Sequence, residues 1–112
     1  MKNSYIRFIN LLNVLHRKNP SRSLDKIEIS LLEHILSVES RNGILLVGDL
    51  LQLKKLGSQA TLHKRVKNLS ALRFIKLETD KVDSRKKSVV STKLGMKYIQ
   101  FMSDCLEKTL KL

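Results

Sequence analysis

Two short stretches carry the side chains with the most pointed chemistry. Residues 58–68 read SQATLHKRVKN and residues 80–87 read DKVDSRKK. Gln59 and Asn68 are amides of the kind that pair two-pronged with adenine, and Lys64 and Arg65 are of the kind that reads the O6 and N7 acceptors of guanine. Small residues such as Ala60 and Thr61 let a backbone approach a flat polar surface closely, while Ser58, His63 and Lys67 add donors on either side. In the second stretch Arg85, Lys86 and Lys87 suit a line of phosphates, and Arg85 alone suits a narrow minor groove, where the negative potential draws in a guanidinium. The chemistry is hydrogen bonding and ion pairing rather than bond making. Each residue also has a plain alternative: Gln59 and Thr61 could merely complete a helix cap, and the basic loop could be an ordinary solvated turn.

The elements around these residues decide whether they can act together. Ser58 follows Gly57 and is a strong N-cap, able to accept from an unpaired N–H of a helix's first turn. From there Leu62, Val66 and Leu69 recur at spacings of four and three, so a helix over 58–72 buries one face. The opposite face carries Ala60, Lys64 and Lys67, with Gln59 and Arg65 at its margins. Phe74–Thr79 and Ser88–Thr92 are rich in Phe, Ile, Val and Thr and read as two strands, with the basic loop between them. Upstream, Ile44–Val47 is too short for a helix and reads as a small supporting strand. A short helix over Asp49–Lys55 follows, with Leu50, Leu51 and Leu53 inward. Two helices joined by a tight, three- or four-residue Gly-containing turn and followed by a hairpin with a charged tip describe a winged helix-turn-helix. Its second helix would enter the major groove, which is about 12 Å wide and admits one helix.

Charge is concentrated on the same unit. The chain has 22 Lys and Arg against 10 Asp and Glu, a formal net charge of +12. From Lys54 to Lys93 twelve basic residues stand against three acidic ones, so this segment holds +9 of that total. Such clustering on one structural unit is the electrostatic footprint of a polyanion partner, although a basic surface kept for solubility would also produce it.

The remaining chain must hold this unit. A length of 112 residues suits a single domain with one core, and 42% apolar with 29% charged residues is the composition of a folded protein rather than a disordered tail. The expected fold class is mainly α with a small antiparallel β wing, an α+β winged helix-turn-helix with flanking terminal helices. Tyr5–His16 reads as a helix with a broad apolar stripe of Tyr5, Phe8, Ile9, Leu12 and Leu15. Arg17–Ser23, with the only proline, reads as a turn. Asp25 and Glu28 form a capping-box pair that opens a helix running to about Glu39, with Leu31, Leu32, Ile35 and Leu36 inward. Ser40–Gly43 is a turn. Thr92 can cap a last helix, Lys93–Leu110, whose face includes Tyr98, Phe101, Met102 and Cys105. Apolar faces this broad on the first and last helices suggest a two-fold partner. The predicted division is therefore 1–18 and 93–112 for dimerisation, with Tyr5, Phe8, Ile9, Leu12, Tyr98, Phe101, Met102 and Cys105 at the interface, and 44–92 for the core and wing.

At this point the chain resembles the MarR-type winged-helix transcriptional regulators. The residues that carry the likeness are 45–69 (LLVGDLLQLKKLGSQATLHKRVKNL), 74–92 (FIKLETDKVDSRKKSVVST) and Gly95. They include an Asp-x-Arg at Asp83–Arg85 and a Thr-x-x-Gly at Thr92–Gly95. The resemblance implies a homodimer on pseudo-palindromic double-stranded DNA, with Thr61, His63, Lys64 and Arg65 toward the major groove and Arg85 at the minor groove. Arg73 stands where the family commonly has glycine, and Ser91 where it commonly has leucine. The chain is also shorter than a typical member, which leaves a small-molecule effector without support.

Other chemistries fare worse. His16, His34 and His63 lie far apart, so neither a metal nor a cofactor is expected. Cys105 lies on an apolar stripe near Asp104 and Glu107 and reads as structural rather than reactive. No phosphate loop or nucleophile constellation is present, so an enzyme is not expected. The longest apolar run, Ile44–Val47, is far too short for a membrane span, Arg7, Asn10 and Asn13 interrupt any signal-peptide core, and one cysteine permits no internal disulfide, which together point to the cytoplasm. The leading expectation is a DNA-binding transcription regulator that acts as a repressor by occluding a promoter. The alternatives are a protein–protein adaptor and a sequence-indifferent architectural protein. The latter usually displays aromatic stacking platforms, and 56–94 holds only Phe74.

Overall fold

A computed structural model describes residues 3–19 and 23–110, with five α-helices and three β-strands among them. In chain order these are α1 (Ser4–Lys18), α2 (Lys26–Ser40), β1 (Leu45–Leu46), α3 (Val47–Leu51), α4 (Gln59–Ala71), β2 (Ile75–Thr79), β3 (Lys87–Ser91) and α5 (Lys93–Leu110). The strands form one antiparallel sheet in the order β1-β3-β2, with Leu45 opposite Val89 and Ile75 opposite Ser91. This is the mainly helical, small-sheet architecture expected from the sequence. Part of the expected turn before α2, residues 20–22, lies outside the described residues.

Apolar periodicity explains how the layers meet. Leu31, Leu32, Ile35 and Leu36 on α2 face Leu62, Val66 and Leu69 on α4, and Leu45, Leu50, Phe74, Ile75, Val89 and Tyr98 close the same core. The Asp25–Glu28 capping box is present: Glu28 N–H donates to Asp25 Oδ1 at 2.8 Å and Asp25 N–H to Glu28 Oε1 at 2.9 Å. Ser58 caps α4, its Oγ accepting from Thr61 N–H at 3.2 Å.

Two boundaries depart from the sequence reading. The short helix begins at Val47 rather than Asp49 and ends at Leu51 rather than Lys55. Asp49 Oδ2 reaches back three residues to the Leu46 N–H, 2.9 Å away, which is what a residue in the first helical turn does for the residue that precedes the helix. The connection to α4 is consequently Gln52–Ser58, seven residues rather than three or four. Leu53 and Leu56, half-buried against the core, tie it down.

Helix ends set the geometry of the wing. At the end of α4, Phe74 N–H donates to Leu69 O and Arg73 N–H to Ser70 O, both at 3.0 Å. This is the paired closure of a Schellman motif, which needs a left-handed residue at the position Arg73 occupies. Arg73 takes it, with φ 68°, so the helix end keeps its form without the glycine. Asn42, φ 59°, closes α2 in the same way, with Gly43 N–H on Val38 O. Across the sheet, Thr92 caps α5: its Oγ1 accepts from Gly95 N–H at 3.2 Å and donates to Arg73 O. Gly95 is required there, since a Cβ would stand 2.5 Å from Phe74 O. Ser91 is also used, its N–H and hydroxyl both donating to the Glu39 carboxylate at 3.1 Å.

These ends give a pair of opposite expectations. Arg73→Gly should stabilise the fold by roughly 0.5–1 kcal/mol, because relief of the left-handed strain exceeds the added flexibility of the unfolded chain. Gly95→Ala should destabilise it by about 1–3 kcal/mol by overpacking against a backbone oxygen. Urea titration of both variants measures the two signs.

Candidate nucleic-acid interface

α4 has four differently occupied sides. Leu62, Val66 and Leu69 are buried. Arg65 and Asn68 turn toward the start of α2. Arg65 Nη1 lies 2.9 Å from Asp25 Oδ2, and the Asn68 amide donates to Glu28 Oε2. On the other flank His63 joins Arg85, Lys86, Lys87 and the first turn of α3 around one cleft of about 370 Å³. The fourth side is open: Gln59, Ala60, Lys64 and Lys67 are exposed. No acidic residue lies in the first turn of α4, so the partial positive charge of its N-terminus adds to that of the lysines.

The sequence-predicted residues thus separate into groups. Gln59, His63, Lys64 and Lys67 stand free on or beside the open ridge. Ser58 and Thr61 are engaged in the cap, Ser58 Oγ donating to Thr61 Oγ1 at 3.0 Å. Both hydroxyls lie at the helix entrance, and Thr61 is half-buried. Arg65 and Asn68 differ from the expectation that they present donors to bases, because α2's acidic cap engages both. The reason is angular: they lie on the flank nearer α2, and the cap carboxylates each have an oxygen to spare.

The hairpin tip is a structured turn. Asp80 N–H donates to Lys86 O at 2.9 Å. Asp80 Oδ1 accepts from Val82 N–H at 2.7 Å and Asp83 N–H at 3.1 Å. Asp83 Oδ1 accepts from Arg85 N–H at 3.0 Å and from Arg85 Nε at 3.2 Å. Asp83 therefore shapes the turn and orients the arginine. Arg85 still projects, with 89% of its side chain exposed, and Lys86 and Lys87 are exposed beside it.

Sequence reasoning missed two contributions. Lys54 and Lys55 entered only as charge; they flank a groove of about 520 Å³ with His34 and Ser30, and the longer connection that places them there had no clear signal. The spacing of Asp25 and Glu28 reports only a cap. Glu28 is 2% exposed, and a buried carboxylate whose cap role uses one oxygen must find a donor for the other; that burial is decided by packing and has no signal in the spacing.

The terminal helices carry the apolar surface. Tyr5 is 69% exposed, Phe8 and Ile9 are also exposed, and Leu12, Phe101, Met102 and Cys105 are half-buried. Tyr98 corrects the expected interface: it is 1% exposed, part of the core, and its hydroxyl donates to Glu33 Oε2 at 2.7 Å. Burial, then the Glu33 carboxylate, push the Tyr98 hydroxyl well above the usual phenol range. The period of α5 brings Tyr98 inward with Leu94 and Met102, while Met96, Ile99 and Leu106 remain exposed. Phe8, Leu11, Leu12 and Leu15 face Ile99, Met102 and Leu106 across an almost wholly apolar cavity of about 230 Å³. Among the described residues no helix is long and apolar enough to cross a membrane.

The wing tip gives a pH expectation. Backbone N–H groups of Asp83 and Val82 hold the Asp80 carboxyl below its ordinary range, and Arg85 does the same for Asp83. A depressed carboxyl favours the folded turn above the ordinary Asp value of about 3.9 and loses that contribution as pH falls through the depressed value. The amide resonances of Val82, Asp83 and Arg85 should hold steady from pH 7 to about 5 and move only below about 3.9.

Neither protein-family models nor curated protein sequences match the chain. Solved structures do. A point mutant of S. aureus MepR aligns with 98% of this chain and 82% of its own, at 23% identity and a TM-score of 0.65. A second S. aureus MepR mutant, bound to an oligodeoxyribonucleotide, aligns with 99% of this chain and 80% of its own, at 16% identity and a TM-score of 0.68. Apo, heme-free PefR aligns with 97% of this chain and 94% of its own, at 20% identity and a TM-score of 0.61. The chain therefore shares the fold of these proteins, five helices around a small antiparallel sheet with the winged helix-turn-helix order of elements.

Proposed function

We propose that the chain is a sequence-specific, double-stranded-DNA-binding transcription regulator that acts as a homodimer, with promoter occlusion as its mode of repression. The observation that carries this reading is the open cationic side of α4 beside an ordered, arginine-tipped wing, on a segment that holds +9 of the +12 charge. α4 inserts in the major groove with Gln59, Thr61 and Lys64 toward base edges. His63 and Lys67 flank them. Arg85, Lys86 and Lys87 follow the adjoining backbone, with Arg85 within reach of the minor groove. The likeness to a fold seen with an oligodeoxyribonucleotide adds weight.

Dimerisation is argued from surface chemistry. Tyr5, Ile6, Met96, Ile99 and Leu106 are exposed apolar side chains gathered on the two terminal helices, and a concentration of that kind is what an interface would bury. A two-fold partner would also set two copies of α4 one helical turn of DNA apart. In sedimentation the wild type should run at twice its 12.9 kDa chain mass, and a Tyr5→Glu, Ile6→Glu double variant should run as the monomer. A monomeric wild type at tens of micromolar would remove the two-fold part of the proposal.

Selection from random duplexes followed by titration across salt tests the rest. An inverted repeat with half-sites about ten base pairs apart is expected. Lys64→Ala should weaken binding to that site by about 10- to 100-fold, the loss of one good base contact of about 1–3 kcal/mol, with a much smaller loss on random duplex. Arg85→Ala should make the log–log salt slope shallower by about 0.9. Equal losses on both duplexes would deny Lys64 a base-reading role. Salt-sensitive binding with no enriched motif would favour the architectural reading, and no binding the adaptor.

A further inference from the structure

The cap of α2 holds more than α2. Asp25 and Glu28 satisfy each other's backbone N–H groups with one oxygen apiece. The second oxygen of each is directed at α4: Asp25 Oδ2 pairs with Arg65 and Glu28 Oε2 with the Asn68 amide. Arg65 and Asn68 are three residues apart, so both lie on one flank of α4, less than one turn from each other. Two polar contacts on one flank add a directional restraint on the roll of α4 about its own axis to the one its buried stripe of Leu62, Val66 and Leu69 already imposes. Glu28 is nearly inaccessible to solvent, where an unpaired carboxylate is costly and a paired one is highly specific about its donor.

We propose that Asp25 and Glu28 are positioning residues for the DNA-reading surface: through Arg65 and Asn68 they lock the roll of α4, and with it the direction in which Gln59, Lys64 and Lys67 point. Arg65 and Asn68 then serve sequence discrimination from the back of the helix without touching a base. The proposal rests on the DNA-binding reading above. A one-residue change of direction on a helix is about 100°, so even a small fraction of that moves the end of a lysine side chain away from a base edge.

Asp25→Asn separates the two ways Arg65 could act. Asparagine is as good an N-cap as aspartate, so α2 keeps its start, while the charge that pairs with Arg65 is removed. If the latch positions α4, the ratio of affinities for the selected site over random duplex falls at least fivefold, and the salt slope stays as in the wild type. The double variant Asp25→Asn, Arg65→Gln should then lose no more of that ratio than either single change. If Arg65 instead contacts DNA, freeing it from Asp25 leaves the ratio unchanged or raises it, or steepens the slope by about 0.9 as it takes a phosphate; any of these results overturns the latch. Asn68→Ala gives the second arm, because combining it with Asp25→Asn should be less than additive if both act through one roll angle, and additive if Asn68 reads a base.

Residual dipolar couplings measured without DNA keep the latch distinct from the function it serves. The periodic couplings of the residue 59–67 amides should shift in phase in Asp25→Asn, as the helix direction changes, while those of α2 and the sheet hold. Unchanged couplings in α4 would overturn the latch even where DNA binding behaves as proposed. Shifted couplings in a protein whose wild type prefers no duplex would leave the latch standing as a structural device and overturn the regulator reading.

Discussion

The arrangement depends on α4 burying one face while leaving the opposite one bare. Leu62, Val66 and Leu69 are removed from water against α2, at about 1.5–3 kcal/mol for each side chain. Net stabilities of small domains are about 5–15 kcal/mol, so losing even one of these side chains would remove a sizeable fraction of the margin that keeps the chain folded. The same period that makes the stripe places Ala60, Lys64 and Lys67 on the far side. Stability and display are therefore two consequences of one spacing, and a helix that slipped or unwound would lose both.

A second constraint joins α4 to the wing. The chain leaves α4 through a left-handed Arg73, enters β2 at once and returns along β3 to Thr92, whose hydroxyl donates to the Arg73 carbonyl. Gly95 then lets α5 pass against the Phe74 carbonyl. One small region thus ties together the end of the helix, both ends of the hairpin and the start of α5. At the far end of the hairpin, Asp80 and Asp83 spend their oxygens on the turn's own N–H groups and on Arg85. The acids in the basic loop do not cancel its charge so much as aim it.

Apart from Val82 at the wing tip, Ile44 and Leu72, charge and apolar surface are kept apart in this molecule. The basic excess lies on α4, the wing and the Lys54–Lys55 connection, and the exposed apolar side chains lie mainly on α1 and α5. Segregation of this kind suits a protein that meets a polyanion on one side and a copy of itself on another. The start of α2 touches both regions, since Asp25 and Glu28 bond α4 and Asp25 also lines a groove with Ile9 and Leu12 of α1.

Local chemistry was legible in the residues themselves. The Ser58 cap, the Asp25–Glu28 box and the faces of α2 and α4 follow from interactions between residues within about four positions of each other, which spacing reports directly, and the two wing strands show in their β-branched and aromatic composition. What spacing cannot report is which of several apolar or polar sides meets a distant element. Tyr98 lay on an apolar stripe that served two neighbours, and only packing decided that it turns to the core and to Glu33 rather than to a partner. The start of α3 at Val47 depended on Asp49 reaching back to Leu46, a choice that the sheet made by ending β1 at Leu46. Arg65 and Asn68 have base-reading chemistry in the sequence, and tertiary structure committed them to α2 because Asp25 and Glu28, forty residues earlier, each bring a free carboxylate oxygen to that flank. The sequence by itself determined which helices and strands form and where the charge gathers, because those are short-range and additive properties; the direction in which each functional side chain points was decided only when the helices packed, because that direction is set by contacts between residues far apart in the chain.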